Sequence, residues 1–148
     1  MDGEHIRSAR SVDLEVITRL CGELGYPSAA RDIGPRLEAL FRESRHAVLV
    51  AEREGEGVVG LVHVYTDTWL VLGATAEIGG LVVADGSRCS GVGARLLEAA
   101  ERWAAAKGCR RLVIRTNAVR KRAHRFYERQ GYDLLKSQRV YQRELVIQ

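Results

Sequence analysis

A mixed α/β fold of the α+β kind, with a central and mostly antiparallel sheet, is what these 148 residues predict. Four segments carry apolar residues at helical spacing, and six short segments read as strands instead. The two patterns alternate along the chain, and the length suits one hydrophobic core. No internal repeat, low-complexity tract or linker-like stretch divides it, so a single domain over 1–148 is expected.

Ile6 to Ala9 reads as a first strand. Ser11 is a plausible N-cap for a helix through Leu24, with Val12, Val16, Leu20 and Leu24 on one face. Gly25-Tyr26-Pro27-Ser28 stops it. A second helix covers roughly Ala29 to Glu43, with Ile33, Leu37, Leu40 and Phe41 as its stripe. Ala47 to Glu52 and Val58 to Tyr65 are apolar runs joined by Glu54-Gly55-Glu56-Gly57, a hairpin signal. Thr75 to Val83 is another strand. Gly91 to Lys107 is a helix with Val92, Leu96, Leu97, Ala100 and Trp103 on its buried face, ended by Gly108. Arg111 to Thr116, Lys121 to Gln130 and Val140 to Val146 follow as strand, helix and strand.

Composition excludes several classes. No apolar run approaches the eighteen or so residues of a membrane span, and the acidic start Met1-Asp2-Gly3-Glu4-His5 does not resemble a signal peptide. A cytoplasmic protein without a membrane partner is the expectation. Cys21, Cys89 and Cys109 are odd in number and in no C-x-x-C pattern, so free thiols are expected. The histidines His5, His46, His63 and His124 are scattered, and no metal is assigned. A net charge of +4 and a pI near 9.2 fit either a nucleic acid or a small phosphorylated ligand. From Lys107 to Arg129 the charged side chains are basic except Glu128. Nucleic acid ranks last among the readings, because no reader motif or interleaved exposed aromatics accompany that charge.

The segment from Leu81 to Ala94 reads as a strand, a loop and a helix start. Gly91 and Gly93 let a ligand approach the backbone, and the helix N-terminus offers free N–H groups to an anion. Arg88 adds a cation able to pair with phosphate. An ordinary strand-to-helix turn that needs glycine for packing explains the same spacing equally well. The dinucleotide fingerprint G-x-G-x-x-G is absent, and so is a Walker loop.

Arg88-x-x-Gly91-x-Gly93 resembles the acyl-CoA signature R/Q-x-x-G-x-G/A of the GNAT N-acetyltransferases. Ala123-His124-Arg125-Phe126-Tyr127-Glu128-Arg129-Gln130-Gly131-Tyr132 resembles that family's A-x-x-F-Y-x-x-x-G-F segment. The resemblance implies a GNAT fold of about six to seven strands and about four helices, splayed between the fourth and fifth strands. It implies acetyl-CoA as acyl donor, with Leu81, Val82 and Val83 along the pantetheine arm. Arg88, Cys89, Ser90, Gly91, Val92, Gly93 and Ala94 would surround the pyrophosphate, and Asn117 would take a further cofactor contact. Two departures stand out. Asp85-Gly86-Ser87 and Cys89-Ser90 replace a common proline and a loop lysine or arginine, and Arg120 stands where many members have asparagine.

Acetyl transfer needs an amine that loses a proton, a polarised thioester carbonyl and a protonated leaving thiolate. By the same resemblance, the Val83 N–H meets the carbonyl, Tyr127 is the general acid and Glu77 the general base. Aromatic packing on a buried helix face is the alternative for Tyr127, and a partner for the substrate ammonium or a rim charge the alternative for Glu77. Glu77 is expected to share a strand face with Gly79 and Leu81. The acceptor is expected to be a small-molecule primary amine, lined by Leu20 to Glu43 and Tyr65 to Thr75, with Tyr26, Tyr65, Asp67 and Trp69 as candidates. The stretch Thr116 to Tyr132 is locally similar to the aminoalkylphosphonate and small-amine acetylating branch. A peptide or protein amine is the second acceptor class, and a non-catalytic acyl-CoA sensor the alternative outside enzymes. Val140, Leu145 and Ile147 permit a homodimer through the C-terminal strands.

Overall fold

A computed structural model describes residues 3–116 and 118–147. Asn117 lies outside them. The elements run β1 (Glu4–Ser8), α1 (Leu14–Leu24), α2 (Ala30–Phe41), β2 (His46–Arg53), β3 (Gly57–Trp69), β4 (Gly73–Val83), α3 (Val92–Ala106), β5 (Leu112–Ile114) and α4 (Lys121–Arg129). They form two compact units, Met1–Ile114 and Arg115–Gln148.

The first unit holds a five-stranded sheet in the order β1-β2-β3-β4-β5. The first three pairings are antiparallel, and β5 alone joins β4 in parallel. That join covers only Ala76 to Ile78 against Leu112 to Ile114, so β4 runs on through Gly79 to Val83 without it. This is the splay expected between the fourth and fifth strands.

Helices cover both faces. Ile17 and Leu20 of α1 and Leu37 of α2 pack on Val48, Val50, Leu61 and Val82. On the other face α3 buries Val92, Leu96, Leu97 and Ala100, and Leu96 and Val92 close over Gly60 of β3. Burying each such aliphatic side chain contributes about 1.5–3 kcal/mol.

Four expectations are corrected. Ser11 does not cap α1: a 3-10 turn occupies Ser11–Asp13, and the Ser11 hydroxyl donates to Glu38 Oε1 at 2.6 Å. The turn carries Val12 off the apolar stripe, so Ile17 is buried instead and Val12 is exposed. The strands expected to end at Tyr65 and to begin at Thr75 run further, β3 to Trp69 and β4 from Gly73. The strand expected at Val140 to Val146 does not form. Residues 133–147 carry no helix or strand, and Val140, Leu145 and Val146 are exposed without a ladder partner. The described sheet therefore has fewer strands than expected.

Candidate active site

The backbone of β4 builds the first part of the site. Register with β3 shifts between His63 and Val64, whose partners are Gly80 and Ile78, so Gly79 is a bulged residue. Beyond it every side chain changes face. Glu77 therefore shares its face with Gly80 and Val82, not with Leu81, which corrects the sequence expectation. The same count orients the backbone. Ala84 N–H donates to the Val59 carbonyl on β3 at 2.7 Å. By strand alternation, the N–H groups of Leu81 and Val83 point to the edge that β5 leaves uncovered. Val82 turns its backbone to β3 and its side chain into the core, 6% exposed.

That edge leads into the loop and α3. Gly91 is the N-cap of α3 at φ 86°, a conformation that glycine adopts without strain. No acidic residue occupies the helix's first turn, so its leading N–H groups suit an anion. Arg88 is engaged locally. Its Nε donates to the Val83 carbonyl at 3.2 Å, and its guanidinium lies 3.3 Å from Asp85 and 3.9 Å from Glu23.

Three residues that sequence reasoning missed brace the loop. The Glu4 carboxylate accepts from Arg95 and, at 3.0 Å, from Arg53. Arg53 also donates to Ser90 Oγ at 3.2 Å, and Arg95 to the Ser90 carbonyl at 3.2 Å. The Arg95 guanidinium beside it lowers the Glu4 carboxyl. No local motif joins residues so far apart; only the β1–β2 pairing brings Glu4 opposite Arg53.

Glu77 stands directly opposite Tyr65, whose hydroxyl donates to Glu77 Oε2 at 2.9 Å. His46 faces Tyr65 from β2, and the two rings stack with centroids 5.3 Å apart. His63 joins them: its Nε2 lies 3.0 Å from His46 Nδ1. Burial, with His46 beside it, pushes the His63 imidazole down to about 4. The histidines are far apart in sequence, yet the hairpin register pairs two of them on the face of Glu77. That register was the signal that could have found them. Among the described residues no cluster of three or more His, Cys, Asp or Glu could hold a metal ion. No disulfide joins Cys21, Cys89 and Cys109, and Cys89 is exposed at φ 64°.

In the second unit Tyr127 lies on α4, with ring centroids 5.2 Å from Phe126 and 6.2 Å from Tyr132. Burial pushes its phenol up, while the Arg120 charge pulls it partly back. It is a protonated phenol at neutral pH, as a proton donor requires. Tyr26 sits 70% exposed after α1, and Trp69 ends β3.

Residues 13–132 match the Acetyltransferase (GNAT) family. The chain belongs to that acetyltransferase family. An uncharacterized N-acetyltransferase, YhfO of Bacillus subtilis (strain 168), is 28% identical over 134 residues, covering 87% of this chain and 89% of the relative. Among solved structures, AAC(6')-Iy in complex with the bisubstrate analog CoA-S-monomethyl-acetylneamine superposes with a TM-score of 0.86. It is 20% identical, over 96% of this chain and 99% of its own. Aminoglycoside 6'-N-acetyltransferase AAC(6')-Ih from Acinetobacter baumannii also gives 0.86, at 16% identity over 97% and 99%. At these identities the two structures establish the fold. No described helix is long and apolar enough to cross a membrane.

Proposed function

We propose that the chain is one cytoplasmic N-acetyltransferase domain that moves the acetyl group of acetyl-CoA to a primary amine of a small molecule. Transfer is direct, within a ternary complex. The observation that carries this reading is the uncovered edge of β4, whose Leu81 and Val83 amides lead into the Gly91-capped start of α3. An extended amide-bearing arm fits the edge, and a pyrophosphate fits the helix N-terminus. Acetyl-CoA supplies the activated thioester.

The protein's residues supply the rest. The Val83 N–H is placed to polarise a carbonyl. Glu77, oriented by Tyr65, holds the incoming ammonium and takes its proton. Tyr127, kept protonated by burial, gives a proton to the departing thiolate. Arg88 exchanges Asp85 for phosphate, and Cys89, Ser90, Val92, Gly93, Ala94 and Asn117 complete the cofactor contacts. The aminoglycoside-acetylating neighbours, together with the carboxylate and aromatic rings on one sheet face, support a small polyamine or amino sugar as acceptor. A homodimer through residues 140–147 is part of the same reading.

Isothermal titration with acetyl-CoA, followed by a free-thiol assay over a panel of amines and peptides, tests it. Binding with turnover of small amines is expected. Absence of binding overturns the reading, turnover of peptides alone moves the acceptor class, and binding without turnover leaves a sensor.

A further inference from the structure

We propose that His46 and His63 form a two-imidazole relay that carries the proton collected at Glu77 out of the site to solvent. The inference rests on the transfer reaction proposed above and adds a route that its chemistry requires. Each amide bond made from an ammonium releases a proton, and Glu77 must lose that proton before the next turnover.

Three features point to the relay. His46, Tyr65 and Glu77 occupy one row across β2, β3 and β4, and His63 lies in the adjacent row on the same face. The two histidines approach through ring nitrogens, His46 Nδ1 to His63 Nε2 at 3.0 Å, so one nitrogen is a donor and the other an acceptor. The bulge at Gly79 makes room for the arrangement. A Cβ built on Gly79 would lie 2.5 Å from His63 Nδ1, so the outer nitrogen of His63 rests on bare backbone two residues along β4 from Glu77.

The tautomer in which His63 Nε2–H donates leaves a lone pair on His63 Nδ1. A proton passed there from Glu77, directly or through water, releases the Nε2 proton to His46 Nδ1. His46 then gives its own Nε2 proton to solvent. One proton enters, one leaves, and both rings end neutral. Each ring then returns to its first tautomer by water-assisted exchange of its own two ring protons, losing the one on Nδ1 and regaining one on Nε2, a step that carries no net proton back to the site. The titratable groups that the strands turn toward His63 are His46, Tyr65 and Glu77. Leu24 of α1 lies over the neighbouring Gly80. Burial, with His46 beside it, holds the His63 imidazole down, so that ring passes a proton on rather than keeping it.

The test combines turnover with imidazole titration in the full chain. His63→Asn and His46→Gln are each expected to lower kcat about 10- to 100-fold, with KM for acetyl-CoA unchanged. Free imidazole in the buffer should restore part of kcat in His63→Ala but not in Glu77→Gln. A kcat within about twofold of the unaltered chain, or a loss that imidazole does not relieve, overturns the relay. Nitrogen-15 NMR of the imidazoles needs no turnover. His46→Gln should shift the His63 titration upward, and an unmoved titration overturns the pair itself. Failure of the unaltered chain to acetylate any amine overturns the proposed function and the relay together. Failure in the variants alone to lose turnover overturns only the relay.

Discussion

Tyr65 and Glu77 face each other across β3 and β4, and the Tyr65 hydroxyl donates to Glu77 Oε2 at 2.9 Å. The bond holds the carboxylate on the face of the sheet that carries His46 and His63. Glu77→Gln should lower kcat about 100- to 10,000-fold, because the amide cannot take the proton. Tyr65→Phe removes the orienting bond and should cost about tenfold. Steady-state kinetics across pH, with the acceptor in excess, check both. A kcat unchanged in Glu77→Gln would remove this residue from the proton path.

Gly79 is where backbone and mechanism meet. Its missing side chain lets His63 lie against β4, and its bulge puts Glu77 and Leu81 on opposite faces. Gly79→Ala should destabilise the fold by about 1–3 kcal/mol, because the added methyl overlaps the His63 ring. Gly86→Ala, where a Cβ meets nothing within 4 Å, is the control. Denaturant midpoints separate them, and a Gly79→Ala chain as stable as the control would show that His63 swings away freely.

His63 makes stability depend on pH. The free imidazole titrates near 6.5 and the folded one near 4, so between these values the unfolded chain binds a proton that the folded chain does not. Stability should therefore fall as pH drops through that window and then level off. The ring is only partly buried, so the loss is about 1–2 kcal/mol rather than the full equivalent of the shift. His63→Gln should remove this component, read as the difference between the two chains' denaturant midpoints at neutral pH and near pH 4.

Much of this fold was legible because its periodicities are strong. The stripe Val92, Leu96, Leu97 and Ala100 buries as its spacing demands, and Glu54 to Gly57 turns the hairpin as its glycines require. What was not legible depends on long-range pairing. Gly79 and Gly80 present no side chains to a period-two pattern, so the bulge between them hides the change of face. Glu4, Arg53 and Arg95 are polar residues on three elements that converge only after β1 docks on β2. Ser11 has the residue type of a cap, but Glu38 of α2 takes its hydroxyl. Val140 to Val146 has strand composition, yet composition supplies no partner.

Arg88 is the cation that the loop signature singles out, and Asp85 and Glu23 hold it in the fold. Phosphate binding must then compete with two carboxylates. Arg88→Ala should weaken acetyl-CoA binding about tenfold and reduce its dependence on salt, since one charge-assisted contact is lost. Asp85→Asn should tighten binding a few-fold, because it frees the guanidinium and removes a negative charge near the proposed phosphate site. The double variant separates these causes. If Asp85 acts by occupying Arg88, then Asp85→Asn/Arg88→Ala should bind as weakly as Arg88→Ala. If it acts through its own charge, the double variant should recover part of the affinity. Titration calorimetry at low and moderate salt distinguishes the outcomes. The 3.3 Å approach of Asp85 to Arg88, with the Asp85 N–H bound at 2.8 Å to Glu23, favours the first.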